Sequence, residues 1–179
     1  MSYGVLIPNQ IAARNVDAWV RSAKSASAVE NGNIVVLSGL SSTAGESEVW
    51  EAIVPSTGNG LTQVWIASEP ELVKTGSYRG LDPDPRNFRN EIGDIFTVFK
   101  PQLGDIITLT ADNFSGAKGG SDLHGNATDT TGGLELVWGV SQTGSVFSVK
   151  WLETTYISIG TGAINTQRVT AYRMVVVGL

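Results

Sequence analysis

The sequence GDIFTVFKPQLGDIITLT, residues 93–110, contains one short pattern twice. In each copy a Gly-Asp pair precedes a run of β-branched and large apolar residues, first from Ile95 and again from Ile106. Glycine adopts the positive φ angles that tight turns need, and aspartate hydrogen-bonds nearby backbone amides, so each copy is typical of a turn that leads into a strand. Because Lys100-Pro101 supplies a bend between the copies, they predict a β-hairpin or meander. The predicted turn residues are Gly93, Asp94, Gly104 and Asp105.

Similar short runs lie on both sides of this block, separated by Gly, Pro, Asn and Asp. The predicted strands cover residues 33–38, 49–55, 63–67, 95–99, 105–110, 134–138, 146–152 and 169–177. The spacers between them are too short, or too rich in Gly and Pro, to supply the helical crossovers of a parallel sheet. The sequence therefore predicts a mainly β fold, an antiparallel sandwich or barrel.

An N-terminal arm or short helix is expected before these strands. Apolar residues four apart, from Ile11 to Val20 after a possible cap at Asn9, are typical of a helix, and an extended arm lying along a partner has the same composition. The small-residue stretch 22–28 is typical of a linker. These features predict an arm and linker over residues 1–28 and a β-rich domain over residues 29–179. The arm residues expected to contact a partner are Val5, Leu6, Ile7, Ile11, Val16 and Trp19.

Composition limits the classes of function. The chain has 179 residues, of which 41% are hydrophobic and 16% charged, and a formal net charge of −5. Its few cations are scattered, so nucleic acid is not an expected partner. There is no cysteine, which excludes a disulfide scaffold and thiolate chemistry. No segment has the length of a signal peptide or a membrane helix, so we expect synthesis in the cytoplasm, no membrane partner and no cofactor.

Catalytic patterns are weak. His124 is the one histidine and lies in a Gly- and Asp-rich segment, residues 111–133, that is predicted to be an irregular loop, as is the Pro-rich segment 77–90. A histidine base must be held by rigid neighbours, so we expect His124 to be solvated. The central acidic residues are expected to serve turns, although two of them across a cleft would suit a glycosidase; they are Asp82, Asp84, Glu91, Asp94, Asp105 and Asp112. No metal site is predicted.

The chain contains five tryptophans, which could form a surface on which sugars stack. They are Trp19, Trp50, Trp65, Trp138 and Trp151. Four of them lie within predicted strands among Val, Ile and Leu, and large aromatic side chains dominate buried sheet faces. The sequence therefore favours core packing for these residues.

The central block resembles a family of small phage proteins. The resemblance is carried by Glu69-Pro70-Glu71-Leu72, by FRNEIGDIFTV at residues 88–98 and by PQLGDIITLT at residues 101–110, and it covers roughly residues 45–115. These proteins are associated with the phage head and are encoded beside the major capsid protein. The resemblance implies a decoration, or cement, protein without catalytic residues that binds and stabilises the outer surface of the head. It also implies the major capsid protein as partner, a homo-oligomer with a trimer favoured, and a place in the virion.

Two other classes of function stay open. A tail or fibre adhesin that binds host glycans would be supported by exposed tryptophans. An enzyme with an unrecognised carboxylate site would be supported by a cleft that holds two acids, with a raised pKa.

Overall fold

Strands dominate the regular structure, which confirms the predicted mainly β class. The structure is a computed structural model that describes residues 3–7, 11, 16–56, 63–70, 72–73, 80–81, 84–127, 133–142, 147–160 and 166–179. The strands are β1 (Leu6–Ile7), β2 (Val20–Ser25), β3 (Ile34–Leu40), β4 (Val49–Ile53), β5 (Val64–Ala67), β6 (Leu72–Val73), β7 (Gly80–Leu81), β8 (Ile95–Phe99), β9 (Ile106–Thr110), β10 (Phe114–Ser115), β11 (His124–Asn126), β12 (Leu136–Gly139), β13 (Ser148–Gly160) and β14 (Thr166–Gly178). Within the described ranges, no helix is long and apolar enough to cross a membrane.

Five strands close into a small barrel in the order β2-β4-β3-β5-β8, and β8 pairs back with β2. The barrel interior is filled by alternate residues of each strand, because successive side chains of a strand point to opposite faces. Trp65 and Phe96 are the large residues of this interior, and alanines such as Ala23 leave them room. The strands of the barrel are not all antiparallel to their neighbours, since β2 runs parallel to β4.

The other main layer is a seven-stranded sheet in the order β1-β9-β14-β13-β11-β12-β10. One face of it packs against the outside of the barrel, where Ile34, Ile66 and Phe99 meet Leu109 and Met174 in a shared core. Strand β5 is buried at all four positions because its alternate residues face the barrel interior and this shared core. The sheet is also mixed, since β10 runs parallel to β12.

The repeated block joins the two layers. The prediction of a hairpin or meander was wrong: β8 pairs with β2 and β5 in the barrel, whereas β9 pairs with β1 and β14 in the sheet. Residues 100–104 lead the chain from the barrel to the sheet. The Lys100 amide donates to the Trp19 carbonyl, next to β2, at 2.8 Å, and the Gly104 amide donates to the Val176 carbonyl, in β14, at 2.9 Å. Each copy therefore begins a strand in a different layer.

The two turns of the block are built alike, as their shared sequence indicates. Gly93 has a φ of 81° and Gly104 a φ of 89°. In each turn the aspartate that follows accepts a hydrogen bond from the amide three residues earlier, at 3.3 Å for Asp94 and 2.9 Å for Asp105. Positive φ is strained for residues with a Cβ, so glycine is needed at both turns.

The predicted linker contains a strand of the barrel. Residues 22–25 were expected to be a hinge, but they belong to β2, which lies between β4 and β8. Ala23 and Ser25 are buried, and small side chains fit there because Trp65 fills the interior. A 3-10 turn at Asp17–Trp19 precedes β2, while residues 12–15 of the predicted helix lie outside the described residues. The division of the chain at residue 28 stays a prediction.

The two segments expected to be irregular contain ordered elements. In the segment 111–133 a 3-10 turn, Ala111–Asn113, is followed by β10 and β11. In the segment 77–90, Phe88 and Asn90 are buried, and Asn90 and Val29 exchange backbone hydrogen bonds at 2.8 and 3.0 Å. Buried side chains such as Phe88 and Phe114 anchor the described parts of the two segments, which the Gly and Pro content does not indicate.

A buried asparagine links the barrel to the sheet. Asn113 is 1% exposed, and its Nδ2 donates to the Asn31 carbonyl in the turn before β3 at 2.7 Å. Its Oδ1 accepts from the Thr110 amide at the end of β9 at 3.1 Å. A Cβ added at Gly4 or at Gly32 would overlap the Asn113 side chain, so both glycines are needed for the close approach. We call this arrangement the Asn113 clasp.

We expect Gly104→Val to lower the free energy of unfolding by about 1–3 kcal/mol, because valine is strained at positive φ. No atom lies within 4 Å of a Cβ built at Gly104, so crowding does not contribute. Gly120→Val is the matched control, since a Cβ there also meets nothing within 4 Å and its φ is not positive. Urea denaturation measures both variants, and equal losses would contradict the placement of the turn.

Candidate functional site

The predicted partner-binding residues of the arm pack against the chain itself. Val5, Leu6 and Ile11 are each 5% exposed, and β1 pairs with β9 at the edge of the sheet. Trp19 packs against the core between the layers, Ile7 is half-buried, and Val16 is 37% exposed. The expectation of partner contact is therefore corrected for Val5, Leu6 and Ile11, because a side chain buried in its own core cannot also be an exposed contact. For Ile7, Val16 and Trp19 it stays a prediction.

His124 lies on β11, not in an irregular loop. Its Nδ1 is 3.4 Å from the Ser148 hydroxyl on β13, and burial lowers the pKa of the imidazole, with the nearby Lys150 charge acting in the same direction. A serine nucleophile would donate its proton to the histidine, but the Ser148 hydroxyl donates to Asn126 Oδ1 at 2.8 Å. Ser148 is also 0% exposed, so this trio holds neighbouring strands and does not present a nucleophile.

The acidic residues were predicted to serve turns. Asp94 and Asp105 do so, while Asp84 and Glu91 form local ion pairs. The Asp84 carboxylate accepts from the Arg86 guanidinium at 2.7 Å, which lowers the pKa of Asp84. Glu91 pairs with Arg89 at 2.9 Å. Asp82 lies outside the described residues. In the described part of the chain, no group of three or more His, Asp or Glu side chains is placed to hold a metal ion.

The tryptophans pack into the two cores. Trp65 is buried inside the barrel and Trp50 packs beside it, while Trp19, Trp138 and Trp151 pack against the core between the layers. Trp138 stacks on Phe114 with ring centroids 4.3 Å apart, and the Lys118 ammonium lies 5.7 Å from its ring centroid. Lys118 also lies 4.7 Å from the Trp151 ring centroid, whereas Trp50 is half-buried and lines a surface cavity of about 410 Å³.

A cavity of about 420 Å³ opens where the barrel meets the edge of the sheet. It is lined by residues next to β3, at the end of β4, and around β10 and β12, which are Ser27, Ala28, Glu30, Asn33, Val54, Ser115, Gly133, Leu134, Glu135 and Val137. We call it the Glu30–Glu135 cleft. The two layers are joined beside it, because the Ile34 amide donates to the Leu134 carbonyl at 2.8 Å.

The polar groups of the cleft are held by the turn before β3. The Asn33 amide donates to the Glu30 carbonyl at 3.1 Å, and the Glu30 amide donates to Asn33 Oδ1 at 2.9 Å. These bonds fix the Asn33 side chain, whose buried Nδ2 has no hydrogen-bond partner within the described structure. Glu30 Oε2 accepts from the Gly4 amide. Burial raises the pKa of Glu30; the Gly4 bond opposes this shift, and the charge of Glu135 adds to it.

Sequence reasoning missed these three residues. Glu30 and Glu135 lie far apart in the chain, and neither belongs to a recognisable motif. Asn33 lies at the start of a predicted strand, where an asparagine indicates only a turn. The one available signal was the Glu-Asn-Gly-Asn run at residues 30–33, which indicates a turn but not what faces it.

The second surface feature is the outer part of the β13–β14 hairpin, residues 153–160 and 166–170, which we call the ribbon. Here β13 and β14 pair only with each other among the described residues, whereas nearer its base β13 also pairs with β11 and β14 with β9. At about 3.3 Å per residue, the open edge is about 26 Å long on β13 and about 16 Å long on β14. Its two strand edges therefore carry backbone groups without strand partners in the described structure.

The ribbon has an inner and an outer face. On the inner face Ile159 is 4% exposed, and Gln167 Oε1 accepts from the Arg86 guanidinium at 2.8 Å. On the outer face Tyr156 is 50% exposed, and the Arg168 guanidinium lies 3.9 Å from its ring centroid. The ribbon is thus held against the chain on one side and presents an aromatic and a cation on the other.

Comparison with known proteins adds no relative. A scan against models of protein families finds no match, and a search of curated proteins finds none.

We expect Leu6→Ala to lower the free energy of unfolding by about 2–4 kcal/mol, because it removes a buried side chain from the core between the layers. Val16→Ala is the control from the same segment, and its loss should stay near 0.5 kcal/mol, as is usual for partly exposed positions. Thermal and urea denaturation measure both. A Leu6→Ala protein as stable as the wild type would show that the arm does not dock on its own core.

Proposed function

We propose that this chain is a non-enzymatic decoration protein of a phage head, which binds the major capsid protein on the outer surface and stabilises the shell. We propose further that it acts as a small homo-oligomer, with a trimer favoured. The sequence resemblance of residues 45–115 supports the class of protein. The observation that carries the proposal in the structure is the ribbon, since it has the features of a protein-binding element.

The backbone of the ribbon supports binding to another protein. A strand edge with unpaired N–H and C=O groups is a template on which a strand of a partner can add. Soluble proteins usually shorten, bend or cover such edges, and the edge strands β1 and β10 of the sheet have only two residues each. The ribbon is the exception among the described strands, because it is long and open on both sides.

The outer side chains of the ribbon support the same role. Tyrosine and arginine are enriched among the residues that contribute most to protein interfaces. The contact between Tyr156 and Arg168 holds both side chains in place before binding, so less side-chain entropy is lost on association. Near the base of the ribbon, Leu152 lies at a β-bulge and is 44% exposed, which extends the apolar surface.

The ribbon replaces the arm as the proposed contact. Val5, Leu6 and Ile11 are engaged in the core, whereas Tyr156 and Arg168 are accessible. A role without catalysis is supported by the use of Ser148 and the central carboxylates in local structure.

We expect the double variant Tyr156→Ala/Arg168→Ala to bind phage heads that lack the protein at least tenfold more weakly than the wild type, because it removes the outer contacts of the ribbon. The measurement is co-sedimentation with the heads across a concentration series. The matched control is Leu103→Ala/Lys150→Ala, which removes an exposed apolar residue and an exposed cation outside the ribbon.

Wild-type protein that fails to sediment saturably with heads would contradict the decoration function. Saturable binding that the ribbon variant retains in full would keep the function and overturn the assignment of the contact to the ribbon. Circular dichroism spectra of the variants should match the wild type, since all four side chains are exposed.

A further inference from the structure

The Glu30–Glu135 cleft combines hydrogen-bonding groups of both kinds. Glu30 and Glu135 carry acceptor oxygens, while the Asn33 Nδ2 donor in the wall beside them is closed to solvent and has no partner within the described structure. Asn33 is 3% exposed and its orientation is fixed, because Oδ1 accepts from the Glu30 amide. A buried donor without an acceptor costs free energy, so its retention beside a cavity points to a ligand that supplies one.

The charges of the cleft exclude some ligands. An anion would face Glu30 and Glu135, and the described lining contains no cation to offset them. A cation such as a lysine side chain would pair with the carboxylates, but it carries only donors and would leave Asn33 Nδ2 unpaired. The ligand that fits best must both donate and accept hydrogen bonds within the volume of the cleft.

Hydroxyl groups meet both requirements. Each hydroxyl donates one hydrogen bond and accepts others, so neighbouring hydroxyls can donate to a carboxylate and accept from Asn33 Nδ2. Ser27 and Ser115 add further polar groups at the cavity wall.

The apolar part of the lining suits the other side of such a ligand. Val54, Leu134 and Val137 provide aliphatic surface, and Val137 is 36% exposed. A sugar ring has C–H surface as well as hydroxyls, and so matches a wall that is part apolar and part polar. At about 420 Å³ the cavity lies within the range of small-molecule sites, which are roughly 300–1,000 Å³.

We propose that the Glu30–Glu135 cleft binds a small neutral saccharide through its hydroxyl groups, with Asn33 Nδ2 as donor and the two carboxylates as acceptors. The site is separate from the ribbon, since in the sheet order β11 lies between β13 and β12, the strand whose residues line the cleft. This activity goes beyond capsid decoration, because it gives the same chain a ligand of a different chemical class.

The test is a titration of the full-length, ¹⁵N-labelled protein with single methyl glycosides of glucose, galactose, mannose and N-acetylglucosamine, followed by two-dimensional NMR. At least one glycoside should shift the Asn33 side-chain amide and the backbone amides of Glu30 and Glu135, with a Kd of about 1–10 mM. Butylamine is the cationic probe and should leave these signals in place up to the same concentration.

Two variants connect the signal to the cleft. Asn33→Asp keeps the oxygen that accepts from the Glu30 amide but replaces the Nδ2 donor, so glycoside affinity should fall at least tenfold. Glu135→Gln alters an exposed carboxylate, and affinity should fall severalfold with the spectrum otherwise unchanged; it decides the test if Asn33→Asp does not fold. Glu48→Gln, which changes an exposed carboxylate outside the cleft, should bind like the wild type.

The proposal is overturned if no glycoside shifts the cleft signals, if butylamine shifts them while the glycosides do not, or if Glu135→Gln and Glu48→Gln bind equally well. Co-sedimentation with phage heads separates this result from the decoration function. Glu135→Gln should bind heads like the wild type, and a loss of head binding by this variant would mean that the cleft itself faces the capsid and is not a saccharide site.

Discussion

The side-chain amide of Asn113 is a buried polar contact between the two layers, which are also held by their shared apolar core and by the backbone bond from Ile34 to Leu134. It spans from the Asn31 carbonyl in the turn before β3 to the Thr110 amide at the end of β9, so it joins the barrel directly to the sheet. The arm is tied to the same place, because the Val5 amide donates to the Thr110 hydroxyl at 2.9 Å. Each of these groups is buried, and the Thr110 amide also donates to the Val5 carbonyl at 3.1 Å. Loss of a hydrogen bond from such a buried network costs about 1–3 kcal/mol. The clasp also sets the turn that carries Glu30 and Asn33, and therefore the polar wall of the cleft.

The two proposed binding surfaces have different structural origins. The cleft exists because the barrel and the edge of the sheet are joined at Ile34 and Leu134 but diverge beside that bond. The ribbon exists because β13 and β14 continue beyond the strands that flank them. Tyr156 and Arg168 of the ribbon are exposed and already in contact with each other, as suits a preformed binding surface. The residues considered for catalysis have structural roles instead, as Ser148 does when it donates to Asn126.

Local sequence patterns predicted the strands and the turns, but not their partners. Residues 95–99 form a strand as predicted, because apolar and β-branched residues follow a glycine that needs positive φ. The prediction failed for β2, because its small and polar residues are typical of linkers. Ala23 is small because Trp65 fills the barrel interior beside it, which the sequence of β2 does not indicate. The β13 part of the ribbon was missed because the predicted strand ended at residue 152, although Thr154, Tyr156 and Ile157 are residue types that favour strands. Residues 169–170 of β14 lay within a predicted strand. The clasp and the cleft depend on contacts between distant residues, such as Asn113 and Asn31, which no local pattern encodes.

The joint between the layers can be tested by hydrogen exchange in Asn113→Ala. The variant should lose about 2–4 kcal/mol of unfolding free energy, and amide protection should fall together in the barrel strand β3 and the sheet strand β9, because both layers lose a shared bond. Asn126→Ala is the control: this buried asparagine bonds Ser148 and Ser141 near strands of one layer, so protection should fall only around β11 and β13. Asn113→Ala with wild-type stability, or with protection lost in one layer alone, would contradict the account.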